Sequence, residues 1–410
     1  MSSAQIKALI GQGVEALKAE HVLPEDVDYT IDLAHPDRVE HGDLSSNIAL
    51  ALARHAKMAP RQFAESLRSR LPASDLVERI EIAGPGFINF FLTDQWLHDV
   101  VEQILESKGS FGRSTVGGGK RIQVEYGSAN PTGPIHVGNS RNIIYGDALA
   151  NLLAAAGYQV ERENYLNDTG GQVQRFALSL EARYRQALGQ EAEVPEDGYQ
   201  GDYLIPLGQE LAKKEGMGLI GKLDELAVWG IGEISEMHRQ TFARIGVHHD
   251  HWASQKAIEH SGKVDEAIER LQSAGALYED EGATWFRASD HGHNQDQVVI
   301  RSKERGGLPT YLAADAAYLL DKISRGYERV IYFWGADHHN TAGALNAVAK
   351  AFEVDDKVEI IIYQFVSFEG GRLSKRSGEF VSLDEMIEEV GADATRFTFL
   401  MRSPDSAMVF

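Results

Sequence analysis

The sequence predicts an α/β protein whose main domain is built on a parallel β-sheet, with a small α+β domain before it. From residue 121 onward, short apolar runs typical of strands alternate with longer stretches of helical periodicity, an order that is characteristic of parallel sheets. Before that point, helical periodicity is followed by a single hairpin pattern. The strand-like runs of the main domain are 121–126, 159–165, 298–301, 329–333 and 358–363.

The N-terminal α+β domain is predicted to span residues 1–112. Apolar residues recur at helical spacing within residues 6–17, and Pro60 is well placed to open a later helix. Apolar and polar residues alternate from Arg79 through Ile82, and after a Gly-Pro-Gly break the apolar pattern resumes from Phe87 to Leu92. This pattern indicates a β-hairpin.

The main domain is predicted to span residues 118–395. The glycine-rich segment 117–120 is expected to be a flexible joint in front of it. Residues 172 to about 275 are mostly helical and interrupt the series of strands. We therefore expect them to form a helical insertion between strands of the sheet.

The composition excludes several classes of protein. Without cysteine, the chain cannot form disulfides, use a catalytic thiolate or bind zinc through thiolates. Its 61 acidic and 40 basic residues give a net charge of −21, so a nucleic-acid partner would need a local basic patch. There is no uninterrupted apolar run of about 18 residues and no secretory-signal pattern. We expect a cytoplasmic protein with no membrane partner.

Residues 127–139 combine the features of a phosphate-binding loop. They follow a predicted strand, are rich in glycine and proline, and lead into a helix predicted to begin near Asn139. The free amides of a helix start favour phosphate, Gly138 allows close approach of a ligand, and His136 and Asn139 can donate hydrogen bonds. A tight turn between a strand and a capped helix accounts for this segment equally well when it is taken alone.

Residues 370–378 (GGRLSKRSG) form a second candidate for phosphate binding. Their cations, Arg372, Lys375 and Arg376, lie among glycines and serines. Such a loop can close over a triphosphate and stabilise the charge that develops on a leaving pyrophosphate. By itself, the pattern is also that of a solvated surface turn.

Residues 134–139 and 373–376 resemble the HIGH and KMSKS elements of class I aminoacyl-tRNA synthetases, in the same order. Further segments resemble arginyl-tRNA synthetases in particular, and the resemblance covers nearly the whole chain. These segments are 124–133, 167–172, 311–318, 335–339 and 391–406, with 42–43 and 83–88 in the N-terminal domain. The resemblance implies a Rossmann-like catalytic sheet with ATP across the carboxyl ends of its strands, and an N-terminal domain that contacts the elbow of the tRNA.

The resemblance also implies the reaction and the residues that bind the nucleotide. The carboxylate of L-arginine would attack ATP, present as its Mg²⁺ complex, to give arginyl-adenylate, and tRNA(Arg) would then receive the arginyl group. By this resemblance the catalytic residues are His136, Asn139 and Lys375. The residues assigned to ATP are His136, Gly138, Asn139, Gly335, Asp337, His338, Ser374 and Lys375.

Some polar residues fit a purely structural role equally well. Asp337 and His338 are as consistent with capping of the next helix as with binding of a ribose. Histidines within 248–251 and 291–293 offer metal ligands by type, but their spacing is not that of a zinc hydrolase. We expect these histidines to be solvated and expect no metal held by the protein itself.

The chemistry of arginine points to a second group of candidates. A guanidinium presents five donors in a rigid fork and favours carboxylates in a partly closed site. Tyr311 and Asp315, four residues apart on one helical face, are assigned to the guanidinium by the resemblance. Glu125 and Asn130 are assigned to the amino group and its neighbouring polar atoms. Without the resemblance, Asp315 would be interpreted as a helix-surface charge and Tyr311 as a core aromatic.

The sequence departs from the family pattern in three places. Asn139 stands where HIGH has its second histidine, and Arg372 where KMSKS has its first lysine; both can still donate to phosphate. The third departure is the end of the sequence at Phe410, where the resemblance places the beginning of the helical anticodon-binding domain. Residues 396–410 are expected to be the start of a truncated C-terminal helical region. We therefore expect tRNA charging to need that domain, from a longer chain or a separate subunit.

Two other functions fit the motifs. The first is a nucleotidyltransferase of the same superfamily that acts without tRNA. The second is a non-catalytic module that binds arginine or ATP. Arginine-dependent turnover would distinguish the synthetase from both.

Overall fold

A computed structural model describes residues 2–367 and 381–409. The chain forms two compact units, Met1–Gly112 and Arg113–Phe410. Each unit has its own buried apolar core. Among the described helices, none has the length and apolar character needed to cross a membrane.

The first unit packs helices against a small antiparallel sheet. Its elements are α1 (Ser2–Ala19), β1 (Leu44–Ser46), α2 (Ile48–Leu52), α3 (Pro60–Arg68), β2 (Val77–Ala83), β3 (Phe87–Leu92) and α4 (Gln95–Ser107). The strand order within residues 2–112 is β1-β3-β2. Ile6 and Ile10 of α1 are completely buried, as their helical spacing predicts. The predicted hairpin is present as β2 and β3, with Ala83 opposite Phe87.

The second unit has an α/β architecture. Its strands are β4 (Arg121–Glu125), β5 (Gln159–Leu166), β6 (His251–Ser254), β7 (Leu277–Asp280), β8 (Ala283–Phe286), β9 (Gln297–Ile300), β10 (Arg329–Gly335), β11 (Val358–Tyr363), β12 (Val366–Ser367) and β13 (Met408–Val409). Its helices are α5 (Val137–Ala155), α6 (Gly171–Ala187), α7 (Leu204–Glu215), α8 (Leu223–Arg244), α9 (Gln255–Glu259), α10 (Lys263–Ser273), α11 (Tyr311–Ser324), α12 (His339–Ala351), α13 (Leu383–Val390) and α14 (Ala392–Leu400).

The described part of this unit contains a five-stranded parallel sheet in the order β11-β10-β4-β5-β6. The predicted α/β class with a parallel sheet is therefore confirmed. Because the strands are parallel, their carboxyl ends meet at one edge, which is where open α/β sheets bind ligands.

One predicted member of the parallel sheet is wrong. The run 298–301 belongs to β9, which pairs antiparallel with β8 in a separate small sheet. The edge of the parallel sheet is instead β6, which pairs with β5 at four positions from His251 to Ser254. This short strand has polar residues at both ends, so it lacks the apolar run from which a strand is predicted.

The helical insertion ends earlier than predicted. Helices α6, α7 and α8 enclose their own apolar core, and the chain then returns to the parallel sheet at β6. Helices α9 and α10 follow that strand and pack against α11 rather than against the insertion. The predicted insertion of 172–275 therefore combines two different parts of the unit.

The segment 117–120 is not a joint between the units. Gly117 N donates to Ala156 O at 2.8 Å, and Gly119 N donates to Gly157 O at 2.9 Å. A Cβ on Gly117 would lie 2.6 Å from the Tyr158 backbone nitrogen. The segment is packed against the turn after α5, and the boundary between the units lies before it, after Gly112.

Helix α5 crosses β4 at very short range. A Cβ on Gly146 would lie 2.2 Å from Cβ of Tyr126, so only glycine allows this approach. The helix begins at Val137, two residues earlier than predicted, with His136 at the capping position. This crossing fixes the start of α5 at the carboxyl end of β4.

The last described residues pack within the second unit. Arg396 of α14 pairs with the buried Asp147 of α5 at 2.6 Å, and β13 pairs in parallel with β12. Residues 396–410, expected to begin a C-terminal helical region, thus include the end of α14 and a strand of this unit.

Candidate active site

A cavity of about 570 Å³ opens at the carboxyl edge of the parallel sheet. It is bounded by the ends of β4, β5 and β10 and by the first turn of α11. The structure brings together eight of the predicted site residues in its lining: Glu125, Asn130, Asn139, Tyr311, Asp315, Gly335, Asp337 and His338.

Asp315 is an acidic group that has no counter-ion within residues 2–367 and 381–409. It lies one helical turn after Tyr311 on α11, and no cation contacts its carboxylate among the described residues. Burial, together with the nearby Glu125 charge, raises the pKa of Asp315 to about 7. Tyr311 is 70% exposed, which excludes a role as a core aromatic. A carboxylate in this environment is well suited to receive a cationic ligand.

Glu125 lies at the end of β4 and is paired with a residue that the sequence did not single out. Its Oε2 is 2.5 Å from Nζ of Lys322, whose side chain is 0% exposed. Its Oε1 accepts a long hydrogen bond of 3.4 Å from Ser128 Oγ. Asn130, five residues later, accepts from Asn167 Nδ2 at 3.2 Å.

A second buried carboxylate, Glu163 of β5, lies next to this pair. Its Oε1 is 3.5 Å from Lys322 Nζ, and it accepts hydrogen bonds from Arg325 and Tyr318. Burial alone would raise the pKa of Glu163, but the Lys322 and Arg325 cations lower it well below its ordinary value. The layer between the sheet and α11 is therefore partly ionic.

Two backbone hydrogen bonds with residues 381–383 hold the start of α5. Val137 N donates to Val381 O at 3.0 Å, and Leu383 N donates to Ile135 O at 2.8 Å. A Cβ on Gly138 would lie 2.8 Å from the His136 ring, so glycine allows the imidazole to lie against the first turn. His136 and Gly138 are absent from the described lining of the cavity, whereas Asn139 is part of it.

Asn142, one turn into α5, was not predicted as a site residue. Its side chain accepts from Gly127 N at 2.5 Å and donates to Phe333 O at 2.6 Å. These two bonds join the loop after β4 to the end of β10. Its position three residues after Asn139 on a helix is the signal that could have identified it.

Lys375 and Ser374 lie outside the described residues, together with the rest of the predicted loop. Arg141 of α5 joins Gln364, which precedes this loop, to Ser403, which follows α14. This fully buried arginine donates to Gln364 O at 3.0 Å and to Ser403 O at 2.5 Å. Sequence reasoning missed Arg141, although it lies two residues after Asn139.

Gly335 ends β10 at the other end of the cavity, and Asp337 and His338 follow it. A Cβ on Gly335 would lie 2.6 Å from Asp337 Oδ1, so glycine at this position lets the Asp337 side chain lie against the strand end. The His338 side chain makes no capping hydrogen bond to α12. Both Asp337 and His338 are more than half exposed at the side chain, which leaves them accessible to a ligand.

The histidines within 248–251 and 291–293 were predicted to be solvated, and this prediction is wrong for His249. His249 packs against Tyr126, with ring centroids 4.5 Å apart, and bonds to Tyr126 O at 3.0 Å. Burial lowers the pKa of His249 to about 4, so it is neutral at pH 7. Glu161, Glu163 and His251 approach one another closely enough to ligate a metal, but the Arg325 guanidinium contacts all three. These contacts show a structural role for the cluster.

Comparison with known sequences first defines the class. Residues 100–400 match the profile described as tRNA synthetases class I (R), catalytic domain. Residues 4–92 match the profile described as Arginyl tRNA synthetase N terminal domain. The second unit thus carries a class I aminoacyl-tRNA synthetase catalytic domain.

Similarity to individual proteins identifies the family within this class. The chain is 45% identical over 386 residues to an arginine–tRNA ligase of Desulforamulus reducens, covering 92% of this chain and 68% of the relative. A solved structure of an arginyl-tRNA synthetase from Campylobacter jejuni is 31% identical, with a TM-score of 0.71, covering 78% of this chain and 71% of the other. The Thermus thermophilus enzyme, 21% identical, shares the fold with a TM-score of 0.67, covering 100% of this chain and 77% of the other. The chain belongs to the arginyl-tRNA synthetase family.

Proposed function

We propose that this protein is an arginine–tRNA ligase, which activates L-arginine with ATP and transfers it to tRNA(Arg). The observation that carries this proposal is the Asp315 carboxylate, which has no counter-ion in the described residues and shares one cavity with Glu125 and the first turn of α5. The family membership favours this function over a nucleotidyltransferase that acts without tRNA.

Arginine has a guanidinium at one end and an α-ammonium and a carboxylate at the other. Asp315 and Tyr311, at the start of α11, would receive the guanidinium, because a carboxylate with two available oxygens matches its parallel donors. Glu125 and Asn130 would receive the amino end. This orientation directs the substrate carboxylate toward the start of α5.

ATP, with its Mg²⁺ ion, would occupy the side of the cavity formed by Asn139, Gly335, Asp337 and His338. The α5 start, with His136 and Gly138, would hold the phosphates, because helix amides and a positive dipole end stabilise anions. Asn139 lines the cavity, and its side-chain amide nitrogen would donate to a phosphate oxygen. Ser374 and Lys375 would contact the phosphates from the opposite side.

In the reaction, a carboxylate oxygen of arginine forms a bond to the α-phosphorus of ATP. The bond between that phosphorus and the bridging oxygen to the β-phosphate breaks, and pyrophosphate leaves with Mg²⁺. No protein atom forms a covalent bond. The protein contributes alignment and stabilises the charge on the transferring phosphate, with His136, Asn139 and Lys375 as the catalytic residues.

In the second step a ribose hydroxyl at the end of tRNA(Arg) would form an ester bond to the arginyl carbonyl carbon. The bond from that carbon to the phosphate oxygen of the adenylate breaks, and AMP leaves with the hydroxyl proton. The first unit would contact the elbow of the tRNA, and a C-terminal domain, in a longer chain or as a separate subunit, would bind the anticodon. Because the chain carries a net charge of −21, these contacts must come from local cationic groups. We place the reaction in the cytoplasm.

The test is ATP–pyrophosphate exchange, measured with tRNA present and with a C-terminal domain supplied in trans. We expect exchange with L-arginine, and none with citrulline, which is neutral and nearly the same shape. Lys375→Ala should abolish exchange, while Lys350→Ala, a change on α12 outside the cavity lining, should not. A folded protein with no arginine-dependent exchange under these conditions contradicts the proposal.

A further inference from the structure

Lys322 is a buried cation to which none of the predicted roles applies. It lies on α11, seven residues after Asp315, with a side chain that is 0% exposed. Its Nζ is 2.5 Å from Glu125 Oε2 and 3.5 Å from Glu163 Oε1. It also packs against two aromatic rings, those of Tyr318 and Tyr332.

The ion pair between Lys322 and Glu125 makes the Glu125 and Asp315 carboxylates of the cavity chemically different. Lys322 occupies Oε2 of Glu125, while Oε1 receives a weak 3.4 Å bond from Ser128. Asp315 has no cationic partner among the described residues. A guanidinium needs two parallel acceptor oxygens, whereas an ammonium group is a point charge that one oxygen can satisfy. The pairing therefore fits Asp315 to a guanidinium and Glu125 to an ammonium.

The charge of the cavity agrees with this division. Arginine carries two positive groups and one negative group, a net charge of +1. The ionised carboxylates of Asp315 and Glu125 with the Lys322 ammonium sum to −1.

We propose that Lys322 is a positioning residue that determines recognition of the substrate's amino end. It holds Glu125 through Oε2 and leaves Oε1 for the substrate, and the pocket consequently requires an α-ammonium group as well as a guanidinium. This inference rests on the proposed function and deepens it, because it assigns the discrimination at the second end of the substrate to a residue that does not line the cavity.

The test compares L-arginine with 5-guanidinopentanoate, which is arginine without its amino group. Dissociation constants for both are measured by calorimetry on the wild type and on Lys322→Met, which keeps the length of the side chain and removes the charge. We expect arginine binding to weaken by about tenfold or more, with 5-guanidinopentanoate changed by less than about twofold.

The matched control is Arg325→Met. Arg325 is the next cation along the chain, at the C-terminal cap of α11, and it pairs with Glu161 and Glu163. It should lower the stability of the protein but leave the ratio of the two dissociation constants unchanged. Equal weakening of both ligands by Lys322→Met, or unchanged arginine binding, would overturn the inference.

If Lys322→Met does not fold, the double variant Glu125→Gln with Lys322→Met removes both buried charges together. Binding of arginine no weaker than in Glu125→Gln alone supports an action of Lys322 through Glu125. Weaker binding in the double variant than in Glu125→Gln alone overturns it. A wild type that binds neither ligand overturns the proposed function and this inference together, whereas a wild type that binds arginine confines any failure to Lys322.

Discussion

Asp315 and Glu125 line the same cavity but lie in opposite electrostatic surroundings. Glu125 contacts the buried Lys322 ammonium, whereas Asp315 faces the Glu125 charge without a cation of its own in the described structure. The carboxylate of Asp315 is consequently destabilised until a cation enters the cavity. This is the electrostatic basis on which we expect arginine to bind.

The affinity for arginine is predicted to rise with pH. Only ionised Asp315 can pair with a guanidinium, and its pKa of about 7 leaves much of it protonated below neutrality. Binding constants should increase by up to about tenfold per pH unit below pH 7 and level off above pH 8. Calorimetry in buffers of different ionisation enthalpy should also detect proton release on binding near pH 7. A pH-independent affinity between pH 6 and 8 would contradict this.

Asp315→Asn is predicted to stabilise the ligand-free protein at alkaline pH. The folded-state pKa of Asp315 is raised from 3.8 to about 7, so the wild type loses stability as pH rises from the unfolded-state pKa to the folded-state pKa. At pH 8 the variant should gain roughly 1–2 kcal/mol in free energy of unfolding, and at pH 4 the gain should vanish. Urea denaturation at both pH values measures the difference. A variant less stable than wild type at pH 8 would be inconsistent with the raised pKa.

Gly146→Ala is predicted to damage the packing of α5 on β4. The added Cβ would lie 2.2 Å from Tyr126 Cβ, so the helix and strand must separate, at a cost of about 1–3 kcal/mol or more. Gly232→Ala, on α8 with nothing within 4 Å of the new Cβ, is the matched control and should be neutral or slightly stabilising. Equal stability of the two variants in chemical denaturation would show that the crossing is less tight than described.

Arg141→Lys is predicted to slow amino-acid activation without weakening arginine binding. The guanidinium joins Gln364 O and Ser403 O, one on each side of the segment that contains Lys375, and a lysine cannot reproduce this forked geometry. Exchange rates should fall by about tenfold or more, with the dissociation constant for arginine within about twofold of wild type. Arg329→Lys, at an exposed ion pair with Glu359, should change neither quantity. An unaltered exchange rate in Arg141→Lys would exclude this positioning role.

The resemblance to a family, and not local pattern alone, led to the acidic residues that line the cavity. The four-residue spacing of Tyr311 and Asp315 places them on one helical face, but by itself it indicates a surface charge and a core aromatic. Asn139 follows a strand and a glycine-rich loop, a pattern that fits a phosphate-binding helix start and a plain capped turn equally well. Their individual roles toward arginine and ATP stay predictions, which the variants above address.

Lys322 could not be predicted in the same way. It occurs in a helix composed mainly of alanine, leucine and tyrosine. Its partners Glu125 and Glu163 come from strands far earlier in the chain. Nothing in the spacing of residues indicates that a lysine on this helix contacts carboxylates of two strands. The strand β9 was assigned to the wrong sheet for a related reason, because an apolar run specifies a strand but not its neighbour.

A crystal structure with L-arginine tests the central claim most directly. The account predicts the guanidinium within about 3 Å of both Asp315 carboxylate oxygens, with the amino group against Glu125 Oε1 and the carboxylate directed to the start of α5. Arginine bound with its guanidinium against Glu125, or bound outside this cavity, would contradict it.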